Sequence, residues 1–268
     1  MKKRLLIPFL LTMCLATRAQ QDTTLSLIFT VKGDIADFTV DNLGNIFLLD
    51  ADNQLKKINS LGDSVAVFNN VIRYGKLTHI DATNPLKLLL YYKDFNTVVT
   101  LDRLLNLRGT IDLRRLQIFQ VKAVCQSFDN GVWVYDEMEA RLKRIADDGT
   151  ITEQTGDLRQ QLEEAPSPTT LIDQEMLVYM YDSTRGFLVF DYFGNLKNKL
   201  AFTHWSDVQV IGKYIVGRKG PVLYRYQLNS MKLEERTLKN ILTGATRIRV
   251  AIDRLYCLRA GRLYVYKL

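Results

Sequence analysis

The side chains best suited to act on a substrate or to hold a metal are two histidines, His79 and His204, and five aspartates. Those aspartates, Asp37, Asp81, Asp173, Asp207 and Asp253, fall in or beside apolar runs. Carboxylates joined by imidazoles could bind a divalent cation and polarise a scissile bond. Asp81, Asp173 and Asp253 sit where apolar runs end, however, and turn chemistry accounts for Asp at such positions. No glutamate and no second histidine joins them. Asp50-Ala51-Asp52-Asn53-Gln54 opens like a calcium loop. It lacks the glycine at the sixth position, and Leu61 stands at the twelfth, where a bidentate glutamate belongs. There is no P-loop, His-Glu-x-x-His, Gly-x-Ser-x-Gly or Cys-x-x-Cys. We therefore assign no catalytic residue, metal ligand set or cofactor. His79 and Asp37 remain candidates for an internal site, and His204-Trp205 for stacking on a ligand.

The elements that must position these residues recur along the chain. Continuously apolar runs at 46–50, 88–92, 132–136, 177–182, 214–218 and 255–259 return about every 42 residues, and five of the six end in Asp or Arg. Unbroken apolar character means burial on both faces. A second run follows each at 54–59, 97–102, 141–146, 187–191, 222–228 and 263–268. Weaker runs precede them at 37–40, 77–81, 121–128, 170–173, 208–211 and 247–252. Others follow at 65–68, 110–113, 151–154, 197–202 and 232–238. Four antiparallel strands per repeat make the blade of a β-propeller. The expected blades are 34–70, 76–113, 119–158, 168–202, 207–239 and 246–268. The last lacks an outer strand, which 25–31 supplies by pairing the two ends of the chain and removing an open seam. Between blades 3 and 4, Leu158 and Leu162 stand at helical spacing behind Asp157, a candidate N-cap.

Asp41, Gly44, Asn45, Asp50, Asn53, Ile58 and Gly62 form a pattern that resembles the repeat of NHL-type six-bladed propellers. The likeness is good in blade 1, partial in blades 3 and 4, and poor in the others. It implies an all-β, six-bladed architecture and no particular activity, because this fold hosts enzymes, ligand binders and scaffolds. Some six-bladed propellers are metal-dependent lactonases or related hydrolases with a channel cation, and that is one alternative function. A glycan or small-ligand binder using aromatics of the rim is another.

In such a ring, turns between second and third strands share a face with the connections between blades. That face is expected to carry Asp50, Asp52, Asp136, Glu137, Glu139 and Asp182 on one part. Arg218, Lys219, Arg259 and Arg262 fall on another. The connections add Arg114 and Arg115, then Glu163 and Glu164. Separated patches of opposite charge would orient a partner. The expected function is a non-catalytic, protein-binding or scaffolding propeller whose partner is steered by this divided rim.

Lys2, Lys3 and Arg4, an apolar stretch over 5–15, and Thr17-Arg18-Ala19 read as a cleavable export signal over 1–19. The expected mature domain is 20–268, without a transmembrane segment, in the periplasm or outside the cell. Its expected partner is a protein of the cell envelope. A lipidated Cys14 is the less favoured variant, because Met13 precedes it. Removing four of the 36 basic residues leaves 32 against 29 acidic, and no long Lys/Arg run argues for nucleic acid. Cys125 and Cys257 fall in blades 3 and 6, too far apart for a disulfide.

Overall fold

Local polar chemistry shapes the turns. The Asp41 carboxylate accepts the N–H groups of Leu43 at 3.0 Å and Asn45 at 2.8 Å, and the Asn45 side-chain amide at 2.7 Å. Gly44 takes a left-handed φ of +80°. The device recurs with Asp102 accepting from Leu104 and Asn106, and with Asp191 accepting from Phe193 and Asn195. Asn59 does the same for Leu61 and Asp63. The fourth residue is left-handed each time, at +98° for Gly62, +64° for Leu105 and +79° for Gly194.

The structure, a computed structural model, describes residues 24–69 and 71–268. The signal reading of 1–19, Cys14 included, lies outside these residues. The strands form six four-stranded antiparallel sheets, five of them meanders in chain order. Their innermost strands are Ile35–Val40, Leu77–Asn84, Val121–Gln126, Thr170–Gln174, Ser206–Ile211 and Arg247–Ala251. Each touches the next, and the sixth touches the first, so the ring closes around a channel. The sixth sheet takes its outer strand from the other end of the chain. Leu27–Val31 runs antiparallel to Arg262–Lys267, with Val31 opposite Leu263 and Phe29 opposite Val265.

The core is divided among six apolar clusters, each filling the space between two neighbouring blades. This explains the continuously apolar second strands: every residue of Lys87–Tyr92 is buried, because a blade is covered on both faces. Trp133 is fully buried between blades 3 and 4. Its indole donates to Asp173 at 3.1 Å, and Arg144 lies over the ring. Gly186 cannot be replaced without strain, since a Cβ there would meet the Leu200 carbonyl at 2.1 Å and φ is +86°.

Asp157 caps the expected helix, Leu158–Leu162, by accepting from the Arg159 N–H, and both leucines are buried. Single helical turns at Val71–Tyr74, Leu113–Leu116 and Lys239–Leu242 also occupy inter-blade connections. They are too short to print a periodicity. The outer strand of blade 2 is Leu107–Asp112, earlier than 110–113, because Gly109 sits inside the strand and marks no turn. Cys125 and Cys257 are buried free thiols.

Candidate binding surfaces of the ring

The channel is lined by the innermost strands. His79, Asp81, Gln209 and Arg249 surround a narrow waist of about 100 Å³. On the side of the inter-blade connections the channel widens into a mouth of about 670 Å³, also lined by His79 and by Lys93, Asn96, Gln120 and Lys122. Burial pushes the His79 imidazole below its ordinary pKa, and Arg247 and Arg249 push the same way against Asp81. Asp37 lies on an innermost strand and is ion-paired with Arg247 at 2.7 Å. Asp81 is held by the Gln126 N–H at 2.7 Å and by Thr83. Asp173 accepts from Trp133, Phe128 and Tyr192. Among the described residues no group of three or more His, Cys, Asp or Glu could hold a metal ion.

The expected rim is only partly available. Asp136 is buried and bound to Lys143 at 2.8 Å. Asp182 is buried and folds the chain around itself, accepting from Ser167 and Thr184. Arg218 is enclosed, pairs with Asp207 at 2.6 Å and donates to the Ala245 carbonyl of the next blade. These three are structural ties and not free rim charges. Trp205 is also corrected. It is buried, stacked between Phe202 and Tyr224, and seated so closely on Gly217 that a Cβ there would approach to 2.6 Å. It cannot stack on a ligand, and His204 beside it is exposed. Asp50 accepts the Gln54 N–H of its own turn. Glu137 pairs with Lys122, Glu139 with Lys143 and Glu164 with Arg185. Arg114 and Arg115 pair with Asp112. Arg259 lies over Tyr264. Asp52, Glu163, Lys219 and Arg262 are exposed.

The opposite face carries a feature that the sequence reading missed. Turns between first and second strands present Leu43, Leu86, Phe128, Met176 and Ile252, and turns between third and fourth strands present Leu61, Leu104, Phe193 and Met231. Each of these is more than half exposed. The antiparallel meander puts both sets of turns at the same end of every sheet. Turns of different blades approach one another: a Cβ on Gly44 would meet Ile252 and Ser60 at 3.3 Å. Between Phe128, Pro85 and Glu175 lies a depression of about 380 Å³ at the channel's second opening.

Turn chemistry does not explain these side chains. In the four Asx-closed turns the first and fifth positions need side-chain acceptors or amides, and the fourth needs a left-handed φ. The third contributes only its N–H, yet it is Leu43, Leu61, Leu104 or Phe193. That repetition is the signal the sequence offered. Exposed large apolar side chains gathered on one face are the composition of a contact surface.

No family model and no curated protein matches the chain. Solved structures do match the fold. A streptogramin B lyase has 12% identity and a TM-score of 0.59, over 86% of this chain and 78% of that one. Virginiamycin B lyase from Staphylococcus aureus has 10% identity and a TM-score of 0.61, over 90% and 99%. The propeller domain of Cps50 (Swd1) from Myceliophteria thermophila has 11% identity and a TM-score of 0.63, over 91% and 100%. At such identity the likeness carries the β-propeller fold alone. No helix of the described residues is long and apolar enough to cross a membrane.

Proposed function

We propose that this chain is an exported, non-catalytic β-propeller that binds another protein of the cell envelope. The observation that carries the reading is the apolar turn face. Five of the six turns around the channel opening hold an exposed large apolar side chain. Docking is thereby moved from the expected charged rim, whose Asp136, Asp182 and Arg218 are spent inside the fold, to the opposite end of the ring. Exposed charges among the same turns are mostly acidic, Asp63, Asp148, Glu175 and Asp253 against Arg103 and Lys213. This favours a protein partner with an apolar centre and a basic fringe. It disfavours an anionic lipid surface, which acidic turns would repel.

Replacing Leu43, Phe128 and Ile252 together by Ser tests the reading against a rim variant, Lys219→Glu with Arg262→Glu. Both should keep the parent's melting temperature within a few degrees, because all five side chains are exposed. Capture of envelope proteins by the parent should fall at least tenfold in the turn-face variant and stay unchanged in the rim variant. The reverse pattern would return docking to the rim. Equal capture by all three proteins would sink both sites, and sedimentation with anionic vesicles would replace the protein partner with lipid.

A further inference from the structure

Among the described residues the channel contains one arginine without a carboxylate at ion-pair distance. Arg247 is paired with Asp37 at 2.7 Å and Arg218 with Asp207 at 2.6 Å. Arg249, at the waist, has no carboxylate within ion-pair distance among the described residues. Its one hydrogen bond there runs to the carbonyl of its own neighbour, Ile248, at 3.3 Å. A guanidinium carries five N–H donors in a planar fork, so most of this one faces open channel. The nearby carboxylates are already engaged: Asp37 by Arg247, Asp207 by Arg218, and Asp81 by Gln126 and Thr83. Gln209, from the adjacent blade, clamps the backbone beside Arg249. It accepts the Val250 N–H at 2.8 Å and donates to the Val250 carbonyl at 3.2 Å. The arginine is therefore held on a fixed strand.

We propose that the waist is a binding site for an oxyanion, the carboxylate or phosphate group of a small ligand, held by the Arg249 guanidinium with His79 beside it. An enclosed cation without a partner is costly, and a bound anion removes that cost. The strain registers in the arginine itself, since burial, with Arg247 alongside, pushes it down to about 10. The waist of about 100 Å³ suits a charged head group, and the wider mouth suits the rest of the molecule. Among the groups that wall that mouth, Lys93 and Gln120 can donate hydrogen bonds to such a ligand, while Lys122 is paired with Glu137. A planar fork recognises carboxylate and phosphate alike, through paired N–H donors. The inference stands independently of docking on the turn face.

Calorimetric titration of the mature chain with sodium acetate and with inorganic phosphate, at constant ionic strength, tests it. The parent should bind at least one of them saturably, at one equivalent. Arg249→Met should weaken that binding at least tenfold, whereas Arg262→Met on the exposed rim should not change it. Without anion, Arg249→Met should be at least as stable as the parent. Preference for one probe assigns the head group. A selenate soak, read by selenium anomalous scattering, locates the anion in the parent without relying on any variant. Absence of saturable binding, equal binding by Arg249→Met, or selenate found only outside the waist would each overturn the proposal.

Discussion

Individual side chains of this ring serve two masters, and Asp173 shows the conflict most clearly. It accepts hydrogen bonds from Trp133, Tyr192 and the Phe128 N–H, yet burial outweighs them and raises its pKa. A carboxyl raised on folding lends stability that is complete below the unfolded value of about 3.9 and is lost as pH rises through the folded value. Asp173→Asn keeps an acceptor and removes the titration. In urea unfolding, the variant should therefore gain on the parent as pH rises from 4 to 7, and a constant difference across that range would contradict the assignment. Trp133, which donates to the same carboxylate, fills the space between blades 3 and 4. Trp133→Ala should cost about 3–5 kcal/mol. A loss under about 1 kcal/mol would mean that the blade interface is not formed as described.

At the scale of elements, much of the ring was legible from sequence. Burial on both faces left its mark on the second strands, and Ile46–Asp50, Val132–Asp136 and Leu177–Asp182 are found at their expected bounds. The partner for the last blade was also legible, since Leu27–Val31 pairs with Arg262–Lys267 as expected. Outer strands were less so, because they are half-exposed and tolerate Gly109. The availability of the charged rim was not legible. Whether Arg218 or Asp182 is free depends on Asp207 and Ser167, 11 and 15 residues away and reached only by folding. Closure gives a prediction of its own. Deleting 20–31 strips the outer strand from blade 6 and bares the edge of Arg262–Lys267, which invites pairing with other chains. The truncated protein should aggregate or melt far below the parent, as read by light scattering and calorimetry. Equal stability would contradict closure by the two ends.

The whole molecule is a ring with two unlike faces. Connections between blades build a charged face, several of whose ions are consumed in holding blades together, and leave Phe95, Phe119 and Met138 exposed. The opposite face is made of tight turns that hold themselves by Asx hydrogen bonds and leave their third side chain to solvent. A ring of this kind presents a broad surface at little cost in ordering on binding. The central claim is that the partner sits on the turns. Hydrogen–deuterium exchange of the parent, alone and in complex with a captured envelope protein, measures this directly. Exchange should slow at 42–45, 85–87, 128–131 and 252–253 in the complex, with the connections at 113–120 and 239–246 unchanged. Slower exchange confined to those connections, with the turns unaffected, would contradict it.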